Sequence, residues 1–271
     1  MTNIIWQDGG KGHVTIDGLA LEFCTYGPAP DAAPTLVMLH EGLGCVALWR
    51  DVPTQLAAAT GCGVFVYSRA GYGHSEAGSL PWRLDYMTRH AEQVLPVLLN
   101  ALAPKSLILL GHSDGATISA MYAGSHEDNR LQGVILLAPH FFTEDFGLAA
   151  IAEAKQAFET GDLRDRMAKY HKNPDHCFRG WNDAWLHPDF REWNVADCLD
   201  YIRVPVLAIQ GHDDQYGSMA QLDEIAERCY SPVEQLRLDA CRHAPHLDHP
   251  EKTTAAIAAF TDRIAAINAI D

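Results

Sequence analysis

The chain has 271 residues, 48% hydrophobic and 20% charged, enough for one large domain with a substantial core, or a domain carrying an insertion. Its 35 acidic residues against 20 basic ones leave a formal charge of −15. That balance argues against a nucleic-acid partner or an anionic membrane surface, because a polyanion is held by clustered lysine and arginine.

The first ten residues, MTNIIWQDGG, lack a basic segment followed by an apolar one, so no signal peptide is expected. No apolar run approaches the roughly 18–20 residues of a membrane span. Seven cysteines (Cys24, Cys45, Cys62, Cys177, Cys198, Cys229 and Cys241) form neither a CxxC pair nor an even framework. Free thiols in a reducing compartment are therefore expected, in a soluble cytoplasmic protein.

Residues 19–26 read as an edge strand. Short apolar runs follow at 35–40 (TLVMLH), 64–69 (VFVYSR), 106–111 (SLILLG), 133–139 (GVILLAP), 204–211 (VPVLAIQG) and 234–240 (EQLRLDA). Continuous rather than alternating apolarity is the pattern of strands buried on both faces of a parallel sheet. Helical periodicity fills 49–60, 84–101 and 115–125. The fold class is thus α/β, a mostly parallel central sheet flanked by helices.

The rhythm breaks between the runs at 133–139 and 204–211. Residues 140–200 hold helical stretches near 147–159 and 162–171, then the aromatic-rich HCFRGWNDAWLHPDFREW. This is too long for a loop and predicts a helical subdomain inserted into a core made of 1–139 and 201–271.

Gly111-His112-Ser113-Asp114-Gly115 matches G-x-S-x-G between a strong strand and a helix. A sharp turn there pushes the serine out of the sheet's C-terminal edge, and the small flanking glycines relieve crowding. The helix N-terminus beneath it favours negative charge. The plainer alternative is a serine that only caps the helix. A nucleophilic serine needs a base and an orienting acid, since a free hydroxyl is weakly nucleophilic at neutral pH. Downstream, a strand ends in Gly211-His212-Asp213-Asp214, and LDACRHAPHLDHPE carries His243 between the last strand and a terminal helix. The order Ser, Asp, His is the one this architecture uses.

With these residues the chain resembles the α/β-hydrolase fold family over essentially its whole length. Three further stretches carry the likeness: His40-Glu41-Gly42-Leu43-Gly44 at the family's oxyanion loop, Ser68-Arg69-Ala70-Gly71-Tyr72-Gly73-His74-Ser75 at its D-R-G-x-G-x-S turn, and 140–200 at its lid. In the second stretch Ser68 replaces the acid and Ala70 the first glycine. The resemblance implies Ser113 as nucleophile, Asp214 as acid with Asp213 as runner-up, and His243 as base with His246 and His249 as rivals. Arg242 stands where the family often has glycine. It also implies an oxyanion hole built from the N–H of Asp114 and that of Gly42, with Leu43 as the alternative. His112 and His40 are read as structural.

Dehalogenases and epoxide hydrolases of this fold place a nucleophilic aspartate at the elbow, but the glycines flank Ser113 and not Asp114. The Asp114 carboxylate either suits the helix dipole or, with Glu41, restricts the groups that fit. In either case both side chains should turn from the oxyanion or find donors. Trp181 and Trp185 are pocket candidates beside Glu41, and Arg179 or Arg191 could bind a carboxylate. The histidines at 171, 176 and 187 have no i, i+4 partner, so no metal is expected.

The resulting expectation is a serine hydrolase with no cofactor, cleaving a carboxylester, thioester or lactone with an apolar or aromatic acyl part. A carbon–carbon bond hydrolase of aromatic catabolism would use the same triad, and a hydrolase-fold receptor is the rival from another class. The partner is a small-molecule substrate, with oligomeric state left open, a homodimer included.

Overall fold

Eight strands join in one sheet, ordered β1-β2-β4-β3-β5-β6-β7-β8, in a computed structural model that describes residues 4–268. In chain order they are β1 (Gly10–Ile16), β2 (Leu19–Tyr26), β3 (Thr35–Leu39), β4 (Gly63–Tyr67), β5 (Leu107–His112), β6 (Leu131–Leu137), β7 (Val206–Gly211) and β8 (Val233–Leu238). The β1–β2 and β2–β4 pairs are antiparallel, and every pair from β4 to β8 is parallel. The sequence reading missed β1. Its GKGHVTI buries only Val14 and Ile16, so a short edge strand leaves no continuous apolar run.

The apolar runs divide their residues between two cores. In β5, Leu107 and Leu109 pack on one face while Ile108 and Leu110 pack on the other. Period-two alternation thus fills both faces, which is why the run shows no polar gaps. Helices α1 (Val52–Thr60) and α10 (Pro250–Asn268) cover one face. The opposite face takes α2 (Tyr86–Arg89), α3 (Leu95–Leu102), α4 (Asp114–Ser125) and α8 (Ala220–Arg228). Between α2 and α3 the turn widens to π geometry over His90–Val94. Pro96 has no N–H to offer the carbonyl four residues back, which removes one bond of the regular ladder there.

Between β6 and β7 run α5 (Asp145–Thr160), α6 (Leu163–Met167) and α7 (Pro174–Trp185), followed by two 3-10 turns. The helix predicted over 162–171 is shorter than its periodicity suggested. After Met167 the chain turns so that the Lys172 N–H reaches the Gly73 carbonyl at 2.8 Å. The aromatic-rich stretch is largely helical, with Asn173 capping α7 and Phe178 stacking on Phe158 of α5. Its buried residues join the core on the α4 face. The short helix α9 (Pro245–Asp248) precedes α10. Among the described residues no helix is long and apolar enough to cross a membrane.

Candidate active site

Ser113 joins β5 to α4 at φ +52°, ψ −119°. A non-glycine residue held there costs about 1–3 kcal/mol, a strain that persists only where neighbouring structure enforces it. The enforcement is close packing. A Cβ on Gly111 would lie 2.1 Å from the Gly115 carbonyl oxygen, and one on Gly115 would lie 2.1 Å from that of Leu39. Ser113 stands at the N-cap position, yet its side chain makes no capping bond. The capping alternative therefore has no hydrogen bond to support it.

His243 follows β8, and its Nδ1 lies 2.9 Å from both carboxylate oxygens of Asp214. Asp214 is fixed in turn by the Tyr216 N–H at 2.9 Å and the Gln210 amide at 3.3 Å. Burial alone would raise its pKa, but His243 and the Tyr216 N–H outweigh this and hold the carboxyl below its ordinary value. Asp213 is exposed and forms no hydrogen bond or ion pair with the imidazole among the described residues. His246 is buried against Trp49 and His112, and burial pushes its pKa down to about 3, so it stays neutral. His249 contacts the Ala240 carbonyl. Arg242 stands in the place of the pattern's glycine, and its N–H donates to the Asp248 carboxylate at 2.8 Å.

The 40–44 loop faces the elbow. Among the described residues, the N–H groups of Gly42, Leu43 and Asp114 donate to no other backbone group, which leaves three donors free beside Ser113. Gly42 has to be glycine, since a Cβ there would fall 2.2 Å from Trp181 Nε1. His40 braces this loop as a neutral imidazole: Nδ1–H donates to the Glu41 carbonyl, and Nε2 accepts from the Arg69 N–H. Burial and the Arg69 charge hold its pKa well below the ordinary value.

Glu41 folds back toward His112, with Oε2 3.5 Å from Nδ1, while His112 Nε2–H donates to the His243 carbonyl at 2.7 Å. Burial disfavours the imidazolium, but the Glu41 carboxylate overcomes this and raises the His112 pKa. Burial would likewise raise Glu41, yet His112 pulls it far below the carboxylate range. The pair's stabilisation is therefore complete below the unfolded imidazole value of about 6.5 and declines as pH rises through the raised His112 value. On the acid side it is lost as pH falls through the depressed Glu41 value. NMR titration should give His112 a midpoint above about 6.5, falling in Glu41→Gln. A wild-type midpoint at or below that value would refute the ion pair.

Asp114 is buried with one carboxylate oxygen engaged. Its Oδ2 accepts from Tyr86 Oη at 2.6 Å and lies 3.5 Å from Arg69 Nη1, while Oδ1 has no partner. Tyr86 Oη in turn accepts from Trp185 Nε1 at 3.0 Å. Both acids beside the elbow have thus turned to partners. Desolvation outweighs Arg69 and Tyr86 and raises the Asp114 pKa.

Ser113, His243, Glu41, Gly42, Leu43, Trp181 and Trp185 line one cavity of about 120 Å³. Arg179 does not. It sits two residues before Trp181 on α7, about 200° round the helix, and is exposed on the far side near Asp175 and Asp183. Its candidacy as a pocket residue is corrected on that ground. Arg191 is also exposed, paired with Asp145. The cavity gains three residues the sequence reading missed: His140, Ile151 and Tyr216. Tyr216 stands edge-on to His243 at 4.8 Å between ring centroids, and His140 lies 5.5 Å from it. His140 was findable, because it follows directly on a parallel strand, where α/β sheets build their sites. Burial drops its pKa to about 3, so it presents a neutral ring. Among the described residues no group of three or more His, Cys, Asp and Glu is placed to hold a metal ion.

Residues 34–176, just over half the chain, match the family described as alpha/beta hydrolase fold. Protein phosphatase methylesterase 1 of Candida albicans is 27% identical over 119 residues, or 44% of this chain; the match spans only 33% of that relative's length. Among solved structures, the enol-lactonase of Burkholderia xenovorans LB400 superposes with a TM-score of 0.71 at 20% identity, covering 92% of this chain and 99% of that one. The esterase RhEst1 of Rhodococcus sp. ECU1013 gives 0.70 at 18% identity, covering 94% and 98%.

Proposed function

This chain belongs to the α/β-hydrolase fold family, and we propose that it is a serine hydrolase of small carboxylesters, thioesters or lactones. One observation carries the reading. Ser113 is held in a strained turn without capping its helix, and it lines the same cavity as an imidazole whose other nitrogen rests on a buried carboxylate. The esterase, enol-lactonase and methylesterase likenesses support the same bond type.

In this reading His243 Nε2 takes the Ser113 proton as Oγ attacks the carbonyl carbon. The tetrahedral oxyanion is bound by the Asp114 N–H and that of Gly42 or Leu43, each donor contributing on the order of 100–1,000-fold in turnover. His243 then protonates the departing alcohol or thiol, and later activates the water that releases the acid. Asp214 keeps Nδ1 protonated and stabilises the imidazolium. No cofactor enters the chemistry.

The 140–200 segment acts as the lid. Its α5 supplies Ile151 and its α7 supplies Trp181 and Trp185 to the cavity roof. A volume of about 120 Å³ between these apolar walls suits a compact apolar or aromatic acyl group. A carbon–carbon hydrolase of acidic dienones would need a lid arginine facing Ser113, and both candidates point to solvent. A fluorophosphonate should add covalently at Ser113 of the folded protein, read by mass spectrometry of the peptide. Absence of that adduct would sink the reading. A panel of aryl, alkyl, thio- and lactone esters beside one dienone then ranks the substrates.

A further inference from the structure

A second cavity of about 290 Å³ opens behind the elbow, more than twice the volume of the one beside Ser113. Its walls include Arg69, Tyr72, Trp82, Arg83, Tyr86 and Arg89. In a chain of charge −15, this cavity takes three arginines and no acidic side chain into its lining. Arg83 is satisfied at the rim by Asp85. Arg89 is exposed and forms no ion pair among the described residues. Arg69 and Tyr72 are almost wholly buried, and Arg69 Nε and Tyr72 Oη have no hydrogen-bond partner. Buried donors left unpaired are costly, and the missing acceptor is commonly a water or a ligand. Trp82, tilted against Tyr72 and Tyr86 with ring centroids 5.4 Å and 5.2 Å away, supplies a broad apolar wall.

We propose that this cavity binds a small organic anion, a carboxylate on a planar apolar body, with the carboxylate toward Arg69 and Arg89 and the body against Trp82. The unpaired Arg89 guanidinium can take the carboxylate in bidentate geometry, the buried charge of Arg69 adds attraction behind it, and the aromatic wall takes the flat body. An inorganic anion would satisfy the arginines but leave that wall bare.

Arg69 also ties the cavity to the catalytic centre. Its Nη2 donates to the Glu41 carbonyl at 2.9 Å and its Nη1 faces Asp114, so one guanidinium braces both stretches that carry the oxyanion donors. An anion on the far side of Arg69 adds negative charge behind the position where the oxyanion forms. It should therefore lower kcat and leave KM nearly unchanged. This kinetic consequence rests on the serine-hydrolase reading; the binding does not.

The test uses 4-bromobenzoate with the full chain. Anomalous diffraction from soaked crystals should place bromine beside Trp82, and calorimetry should show binding at least tenfold weaker in Arg89→Gln, an exposed and structurally mild change. Bromine only beside Ser113, or equal affinity for neutral 4-bromobenzamide, would overturn the proposal. In turnover assays, kcat should fall severalfold at saturating bromobenzoate, with KM within twofold. A purely competitive pattern would place the anion in the catalytic cavity and also overturn it. Fluorophosphonate labelling of Ser113 reports separately on the serine-hydrolase reading.

Discussion

Alanine at Ser113 is expected to lower ester turnover by about a million-fold, leaving only what binding and the oxyanion donors supply. The same substitution should barely change stability. A serine that capped α4 would lose about 1 kcal/mol on replacement by alanine, but the Ser113 hydroxyl makes no capping bond. Alanine keeps the Cβ, so the strained φ of +52° and its enforcement by Gly111 and Gly115 carry over unchanged. Thermal melts should therefore coincide while an aryl-ester assay collapses, with KM changed little. A loss of less than tenfold would mean that another group attacks. A clear fall in melting temperature with little loss of rate would return Ser113 to a capping role.

How much of this was legible in the sequence depends on whether local pattern or distant packing decides each feature. The parallel strands were legible because burial on both faces leaves an unbroken apolar run, as in residues 107–110 of β5. The elbow was legible because two glycines at fixed offsets are required where backbone carbonyls approach within contact distance. By contrast, β1 carries its burial on two residues of seven. The direction of Arg179 depends on how α7 is rotated over the core, which composition does not encode. Tyr86 illustrates the same limit. It lies 28 residues before Asp114 and meets it where α2 packs against α4, a contact that local pattern does not encode.

The two acids beside the elbow have a common physical explanation. An ionised carboxylate aimed at the oxyanion would oppose catalysis, so each must be neutralised or turned aside. Glu41 does this through His112, which also grips the backbone of His243. Asp114 does it through Arg69 and Tyr86, and Tyr86 passes the connection to Trp185 of the 140–200 segment. Asp114, whose N–H serves the oxyanion in the proposed mechanism, is therefore joined by its side chain to the roof of the cavity. The identity of the residue after Ser113 is tied to how the roof sits, and its carboxylate is a structural anchor at that joint.

Asn in place of Asp214 is expected to cut kcat by about 10,000-fold, whereas Asn in place of Asp213 should change it by less than about twofold. The contrast follows from what each side chain touches. Asp214 accepts the His243 Nδ1–H with both oxygens in reach, and its own orientation is locked by Tyr216 and Gln210. An amide there offers the imidazole either a donor or an uncharged acceptor. It favours the tautomer with Nε2–H, which cannot take the serine proton, and it removes the charge that stabilises the imidazolium. Asp213 is exposed, so its replacement alters only surface charge. The pH profile separates this from general damage. The depressed pKa keeps Asp214 ionised well into acid, so the acid limb of wild-type kcat/KM should not follow the carboxylate. In Asp214→Asn the residual rate should climb at alkaline pH, where hydroxide substitutes for the lost base. Equal, mild losses in the two variants would show that the acid of the site lies elsewhere.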